Sequence, residues 1–348
     1  MRLPSTPRGR AVCVAAVAAF ALSACSTDTP QSVLQPQGEF ARKADALWDI
    51  TFAIAIAVFV VVQGLLLYAI FRYRHKPGRE AAQFHGNTRL EIAMTIIPAL
   101  ILLGLAIPTV ATVFDLAAEP TGADVIHISV EGRQFWWRYD YTDLDIVTAN
   151  ELHIPTGQPI DLSIEGYDVN HSFWVPRLGG TQDVVPGRTS RLTLEADDPG
   201  TYLGQCKEFC GLSHSNMNLR VIAHDPGDFE QWVSDQQEPA AAPSDSLAAE
   251  GAELFVNGAA DAQFAGGPSC ASCHAIEGLD GAVGIIGPNL THFAARNTFA
   301  GAIFQNNESN LRAWLANPPE RKPGSQMPNL QLTTGQIDAL VAYLQTLE

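Results

Sequence analysis

Two long apolar runs near the N-terminus decide most of what this chain can be. Ile50–Phe71 (ITFAIAIAVFVVVQGLLLYAIF) and Ile92–Phe114 (IAMTIIPALILLGLAIPTVATVF) each exceed the roughly 20 residues that a helix needs to cross a bilayer. Neither run keeps a polar face, so a soluble core helix is a poor alternative. The segment between them, 72–90, holds Arg72, Arg74, Lys76, Arg79 and Arg89 against the acid Glu80, which places it on the cytoplasmic side. Residues 40–115 are therefore expected as a transmembrane hairpin, with spans at about 50–71 and 92–114 and both ends facing outward. Glu91 stands at the cytoplasmic mouth of the second span. An ionisable group there is a functional candidate, and a carboxylate that only marks the interface is the alternative.

The extreme N-terminus agrees with export. Arg2, Arg8 and Arg10, an apolar stretch and small residues before Cys25 have the form of a signal peptide over 1–24. Leu22-Ser23-Ala24-Cys25 resembles a bacterial lipobox, which implies lipidation of Cys25 after cleavage. An ordinary signal peptide with an incidental cysteine is the alternative. Residues 1–24 hold three arginines and no acid, so cleavage takes the formal charge from −16 to −19. Such a surface repels nucleic acid and suits a basic protein partner, or it keeps an exported domain soluble.

Beyond the hairpin, residues 120–235 are expected as the next domain, reading from about Asp124 to His224 as short β segments bounded by Gly, Pro and Asp turns. "VIHISVEG", "FWWRYDY", "ELHIPTG", "PIDLSIEG", "TSRLTLEA", "GTYLGQC" and "NLRVIAH" have the spacing of a sandwich or barrel. "QQEPAAAPSDS" (236–246) reads as a flexible linker. Residues 247–348 open with the helical "SLAAEGAELFVNGA" and close with "TTGQIDALVAYLQTLE", which Thr333 or Thr334 would cap.

The six cysteines of an exported chain would ordinarily suggest disulfides. Their positions argue otherwise: apart from Cys13 and Cys25 they form two tight pairs, Cys206/Cys210 and Cys270/Cys273. "CASCH" (270–274) is the c-type haem attachment pattern, with two thiols for the porphyrin and His274 for the iron. A zinc or redox Cys-x-x-Cys is the alternative. Among four methionines, Met327 follows in the Pro-bounded loop "KPGSQMPNL", placed for the far side of the iron. In "GQCKEFCGLSHSNM" (204–217), Cys206, Cys210, His214 and Met217 crowd one loop, and "NHSFWVP" supplies His171 from a turn. Thiolate, imidazole and thioether together favour copper, whereas zinc rarely uses methionine. A mononuclear blue-copper site, which needs one cysteine, is the alternative. His75, His85, His127, His153, His224 and His292 fit no ligand pattern.

These motifs carry resemblances. Residues 245–348 resemble a class I cytochrome c throughout, through Gly251, Phe255, "CASCH", "GPNL" (287–290), Met327 and Tyr343. In that family the proline of "GPNL" orients the haem-ligating histidine by its carbonyl. "HSFWVP … GQCKEFCGLSHSNM" is similar to the dinuclear copper (CuA) domain of cytochrome oxidase subunit II. The resemblance implies that Cys206 and Cys210 bridge two coppers, that His171 and His214 bind one each, and that Met217 and the Glu208 carbonyl are weak ligands. It also implies a magnesium ion, shared with subunit I, at the Glu208 carboxylate.

The likeness covers residues 40–235. It sets Glu91 on the family's glutamate at a proton-channel mouth. It also sets "GRQFWWRYDY" (132–141) on the aromatic stretch that admits electrons, with Phe135 where the family has tryptophan and Trp136 and Trp137 following. Asp183 of "QDVVPGR", Arg177 and Arg188 are interface or proton-exit candidates, or simple surface charge.

The expected fold is thus multidomain: a two-helix transmembrane hairpin, a cupredoxin-like antiparallel β-sandwich and an all-α class I cytochrome c domain. The order of segments resembles the cytochrome-c-fused subunit II of caa-type haem-copper oxidases. That implies an electron-transfer subunit on the outer side of a bacterial cytoplasmic membrane, with no catalytic residue of its own. Its expected partners are subunit I, subunit III, membrane lipid, and a cytochrome c or a bound cytochrome of a quinol-oxidising complex as donor. The rival readings are a copper-containing nitric oxide reductase subunit and a copper-delivery lipoprotein. A quinol oxidase subunit is excluded by the intact ligands.

Overall fold

The structure is a computed structural model describing residues 29–75, 77–78, 85–122, 125–258 and 268–348. Cys25 and its signal peptide, with Lys76, Arg79 and Glu80 of the basic loop, lie outside the described residues. Helices α1 (Gly38–Arg72) and α2 (Thr88–Leu116) carry the two apolar runs, with mean hydropathies of 2.7 and 2.4 over their most apolar windows. Both are longer than the roughly 20 residues a bilayer needs, so each projects beyond it. Asn87 caps α2 by accepting from the backbone N–H of Arg89 and Leu90.

Helix α1 begins twelve residues before Ile50 because its first turns are held by the β-rich domain that follows. The Gly38 N–H donates to Asp197 at 2.7 Å, and Arg42 pairs with the same carboxylate. Lys43 bridges Glu39 and Asp115, each at 2.7 Å, tying α1 to the outer end of α2. Gly38 has φ +82°, and a Cβ there would lie 2.1 Å from the Glu195 carbonyl oxygen. Only glycine fits that close approach.

The following domain is a sandwich of two five-stranded sheets. The strands are β1 (Ile126–Arg133), β2 (Trp136–Tyr141), β3 (Ile146–Ala149), β4 (Glu151–Pro155), β5 (Ile160–Gly166), β6 (His171–Trp174), β7 (Thr181–Val184), β8 (Ser190–Leu194), β9 (Gly200–Cys206) and β10 (Asn218–His224). The orders are β3-β2-β1-β5-β8 and β4-β10-β9-β6-β7. Most pairs are antiparallel as expected, but β1 with β5 and β4 with β10 are parallel. The cause is connectivity: the chain leaves the first sheet for β4 and returns beside β1 in the same direction. Alternation along β10 buries Leu219, Val221 and Ala223, the period-2 pattern of a half-covered strand.

Helix α3 (Pro226–Gln236) closes this domain, with Trp232 stacked on His153 at a centroid distance of 4.4 Å. The stretch expected as a flexible linker is held: the Ala240 N–H donates to the Glu277 carbonyl at 3.0 Å, and the Gln237 side chain to that of Leu144 at 2.8 Å. An extended Pro/Ala segment leaves its backbone groups free to pair in this way.

The C-terminal domain comprises α4 (Ser246–Asn257), a two-stranded ribbon β11 (Thr298–Phe299) and β12 (Phe304–Gln305), α5 (Glu308–Ala316), α6 (Pro318–Arg321) and α7 (Thr334–Leu344). Thr333 and Gln336 form a reciprocal capping box at the start of α7. Its buried face, Ile337, Leu340, Val341 and Leu344, packs in one core with Phe255 of α4.

Candidate metal centres

The first centre sits where one end of the second sheet meets the loop 206–217. His171 opens β6, and Cys206 ends the neighbouring β9, where it pairs with Phe173. The sequence suggests a turn for His171; strand pairing with β7 and β9 makes it part of the sheet. Backbone bonds fold the loop back on itself: Cys206 N–H to Met217 O at 2.9 Å, and His214 N–H to Gly211 O at 3.1 Å.

The donor atoms converge. Cys206 Sγ lies 3.9 Å from Cys210 Sγ and 3.9 Å from His171 Nδ1. Cys210 Sγ lies 3.7 Å from His214 Nδ1 and 3.8 Å from Met217 Sδ. The Glu208 carbonyl oxygen is 3.2 Å from Cys206 Sγ. A sulfur separation of 3.9 Å is far beyond a disulfide bond of about 2.05 Å. It is short enough for one metal at about 2.3 Å to touch both sulfurs. Buried His171, Cys206 and Cys210 all lie within 4.8 Å of one another. These residues fit a thiolate-bridged copper site. The Cys210 thiol beside it, with His171 and the Ser172 and Glu208 backbone, holds the Cys206 thiol below the usual thiol range. The hydrogen bond with Cys206 and burial push Cys210 up.

Asp168, which fits no ligand motif in the sequence, orients His171. Its Oδ1 is 2.8 Å from His171 Nε2, and it accepts from the N–H of Gln134 and Val169 at 2.7 Å each. Burial opposes ionisation of Asp168, but these bonds outweigh it and lower its pKa. The same contact fixes which ring nitrogen faces the sulfurs. The signal was present three residues upstream, in "YDVNH".

The second centre is a largely apolar cleft lined chiefly by the C-terminal domain. Cys270, Cys273, His274 and Met327 all line it. His274 Nδ1–H donates to the Pro288 carbonyl at 2.7 Å, leaving Nε2 for a metal. Gly287 makes the room: a Cβ there would fall 2.5 Å from His274 Cε1. Burial lowers the His274 pKa, against the bond to Pro288. Arg296 lines the same cleft and is half-buried; its Nε is buried with no partner among the described residues, a cationic donor suited to a haem carboxylate. The residues present fit a covalently attached haem.

Of the aromatic stretch, Phe135 and Trp136 line this second cleft, whereas Trp137 is wholly buried in the sandwich beside His171 at a centroid distance of 6.0 Å. Glu91 is exposed in the first turn of α2, and the Glu208 side chain is exposed on the copper-type loop. Asp183 is exposed on β7 and accepts from Ser172 Oγ at 3.1 Å. Arg188 is exposed, and Arg177 holds the N-terminal segment by donating to the Gln35 carbonyl at 3.2 Å. His127 faces Asp161, His153 faces His224 at 2.8 Å, and His292 Nδ1 contacts the Glu348 carbonyl.

Three families match the chain: "Cytochrome C oxidase subunit II, transmembrane domain" over 35–112, "Cytochrome C oxidase subunit II, periplasmic domain" over 145–224, and "Cytochrome c" over 248–348. The chain is 35% identical over 334 residues to a cytochrome c oxidase subunit 2 of Alkalihalophilus pseudofirmus, covering 94% of each. It is 31% identical over 359 residues to that of Bacillus subtilis, covering 97% of this chain and 98% of the relative. The solved periplasmic domain of subunit II from Bradyrhizobium japonicum is 27% identical over 34% of this chain and 96% of that one, with a TM-score of 0.32. The two apolar helices, the sandwich with its thiol pair and the fused haem-type domain thus place this chain in the cytochrome c oxidase subunit II family, as a component of an oxidoreductase that carries its own cytochrome c domain.

Proposed function

We propose that the chain relays electrons for a terminal respiratory oxidase. A cytochrome donor on the outer side reduces the C-terminal domain, whose electrons pass to the copper-type centre and on to the haem-copper site of subunit I. Oxygen reduction to water and the coupled proton translocation belong to that partner. When bound, the copper pair and the haem each supply a one-electron carrier. The chain's own residues do the rest: Cys206, Cys210, His171, His214, Met217 and the Glu208 carbonyl would hold copper, and Cys270, Cys273, His274 and Met327 the haem. Asp168 keeps His171 in one orientation through a redox cycle.

One observation carries this reading: the two centres share a wall. Gln134 lines the haem-type cleft, and its side chain donates to the carbonyl of Cys210. Both outer domains then lie on the same side of the membrane, with Glu91 at the opposite face as a candidate for proton uptake. The magnesium role of the Glu208 side chain, lipidation of Cys25, the signal peptide and the contacts with subunit III belong to the same proposal.

The test is spectroscopic, on the full-length protein loaded with copper and haem. The reading predicts a copper signal split by two equivalent nuclei that Cys206→Ser abolishes, and a low-spin haem that only Met327→Ala perturbs. A mononuclear copper signal, or none, would leave a membrane-bound cytochrome c.

A further inference from the structure

The two outer domains exchange buried ionisable groups. Glu151 of β4 is wholly buried, and its carboxylate accepts from the Asn297 N–H at 3.0 Å and from the Thr298 hydroxyl, both in the C-terminal domain. In the other direction, Lys322 is 3% exposed and spans the junction. Its ammonium donates to the Phe135 carbonyl of the sandwich and to the Ala300 carbonyl of its own domain, each at 2.7 Å. Burial lowers its pKa to about 7. Neither group would be placed in such surroundings by chance, because an unpaired buried charge is strongly unfavourable.

The backbone is shaped for the same contact. Ala300, Gly301 and Ala302 are successive left-handed residues, with φ of 55°, 80° and 57°. This strained turn presents the Gly301 carbonyl to the Asn218 N–H at 3.0 Å. A Cβ on Gly301 would lie 2.7 Å from Asn216 O and 2.9 Å from Phe135 O, and one on Gly324 would lie 3.0 Å from Leu212 Cβ. Strain and close approach of this kind persist only where surrounding structure enforces them. Arg133 adds another tie, donating to the Ile285 carbonyl at 2.8 Å.

The consequence concerns the haem-type cleft. Gln134, Phe135, Trp136 and Asn150 of the sandwich form one of its walls. We propose that the haem pocket is a composite of both outer domains, and that Lys322 and Glu151 are positioning residues that lock it shut. Residues 236–246 then join two parts of a fixed unit, and their length does not set how often the domains meet. The haem readout below rests on the proposed relay; the exchange readout does not.

The experiment uses the full-length protein in detergent, with Lys322→Met, Glu151→Gln, and a separate variant carrying about ten Gly/Ser residues inserted after Ala242. Amide deuterium exchange is followed at Asn218 and at residues 300–302, and the haem midpoint potential is measured alongside. The insertion should leave both unchanged. Each substitution should speed exchange by about tenfold or more and lower the potential, since water reaching the cleft favours the ferric charge. Glu151→Gln keeps the side chain's shape, so it decides the matter if Lys322→Met folds poorly. Exchange opened by the insertion alone, or wild-type protection in both substituted proteins, would overturn the lock. A chain that takes up no haem would overturn the haem reading alone, and exchange would still decide whether the lock exists.

Discussion

Replacing Asp168 by asparagine should weaken copper binding without abolishing it. The wild-type carboxylate accepts three hydrogen bonds: Oδ1 from His171 and Val169, Oδ2 from Gln134 N–H. Asparagine can keep the first two on its single oxygen. Its amide then faces the Gln134 N–H, donor against donor, and the negative charge that favours the His171 orientation is gone. Losing a hydrogen bond to a charged group costs about 1.5–3 kcal/mol. That agrees with the 10- to 100-fold, or about 1.4–2.7 kcal/mol, typical for removing the partner of a metal-bound histidine. Competition titration with a copper chelator should therefore show an affinity loss of about 10- to 100-fold, with the form of the copper signal retained. An affinity within about twofold of wild type would refute the role of Asp168. So would complete loss of the signal, which would make Asp168 part of the fold and not an orienting partner.

Gly287→Ala should displace His274, since its Cβ would fall 2.5 Å from the ring; the haem should stay attached through Cys270 and Cys273 while its spectrum leaves the low-spin form. Gly251→Ala should push α4 from α7, because a Cβ there lies 2.1 Å from the Ala339 carbonyl oxygen, and chemical unfolding of the C-terminal domain should show a loss of about 1–3 kcal/mol. His153 is half-buried beside His224 and Trp232, and burial with its neighbours lowers its pKa to about 3. Between the unfolded value of about 6.5 and that point, the unfolded chain binds a proton that the folded one refuses. Stability from this group is thus full above pH 6.5 and falls as pH falls, by on the order of 4 kcal/mol near pH 3. Thermal melts of His153→Phe, which can keep the stack on Trp232, should show a shallower acid limb; an unchanged limb would remove His153 as its cause.

The parts of this molecule that were legible in its sequence are those governed by local rules. Apolar length marks a span whatever surrounds it, and Cys270, Cys273 and His274 sit within one turn of each other. The copper-type loop was readable because Cys206, Cys210, His214 and Met217 are close in sequence. His171 stands out as a candidate ligand by residue type, though nothing local marks its strand. β3, β6 and β7 have four residues each, too few to show alternation, and they exist because neighbours pair with them. The parallel pairs depend on where the chain crosses between sheets, which no local pattern records. Asp168 was within reach, three residues from His171, but an aspartate in a turn looks like any other. The domain junction was out of reach altogether. Glu151 and Thr298 are 147 residues apart, and Lys322 in "ERKPG" reads as surface charge until the structure buries it.

The central claim is that one chain passes an electron between two centres held side by side. The most direct measurement is anaerobic photoreduction of the haem in the full-length protein carrying both groups. Each electron lost from the haem should be matched by one gained at copper, at a rate independent of protein concentration. A rate that rises in proportion to protein concentration, or haem reoxidation with the copper signal unchanged, would contradict it.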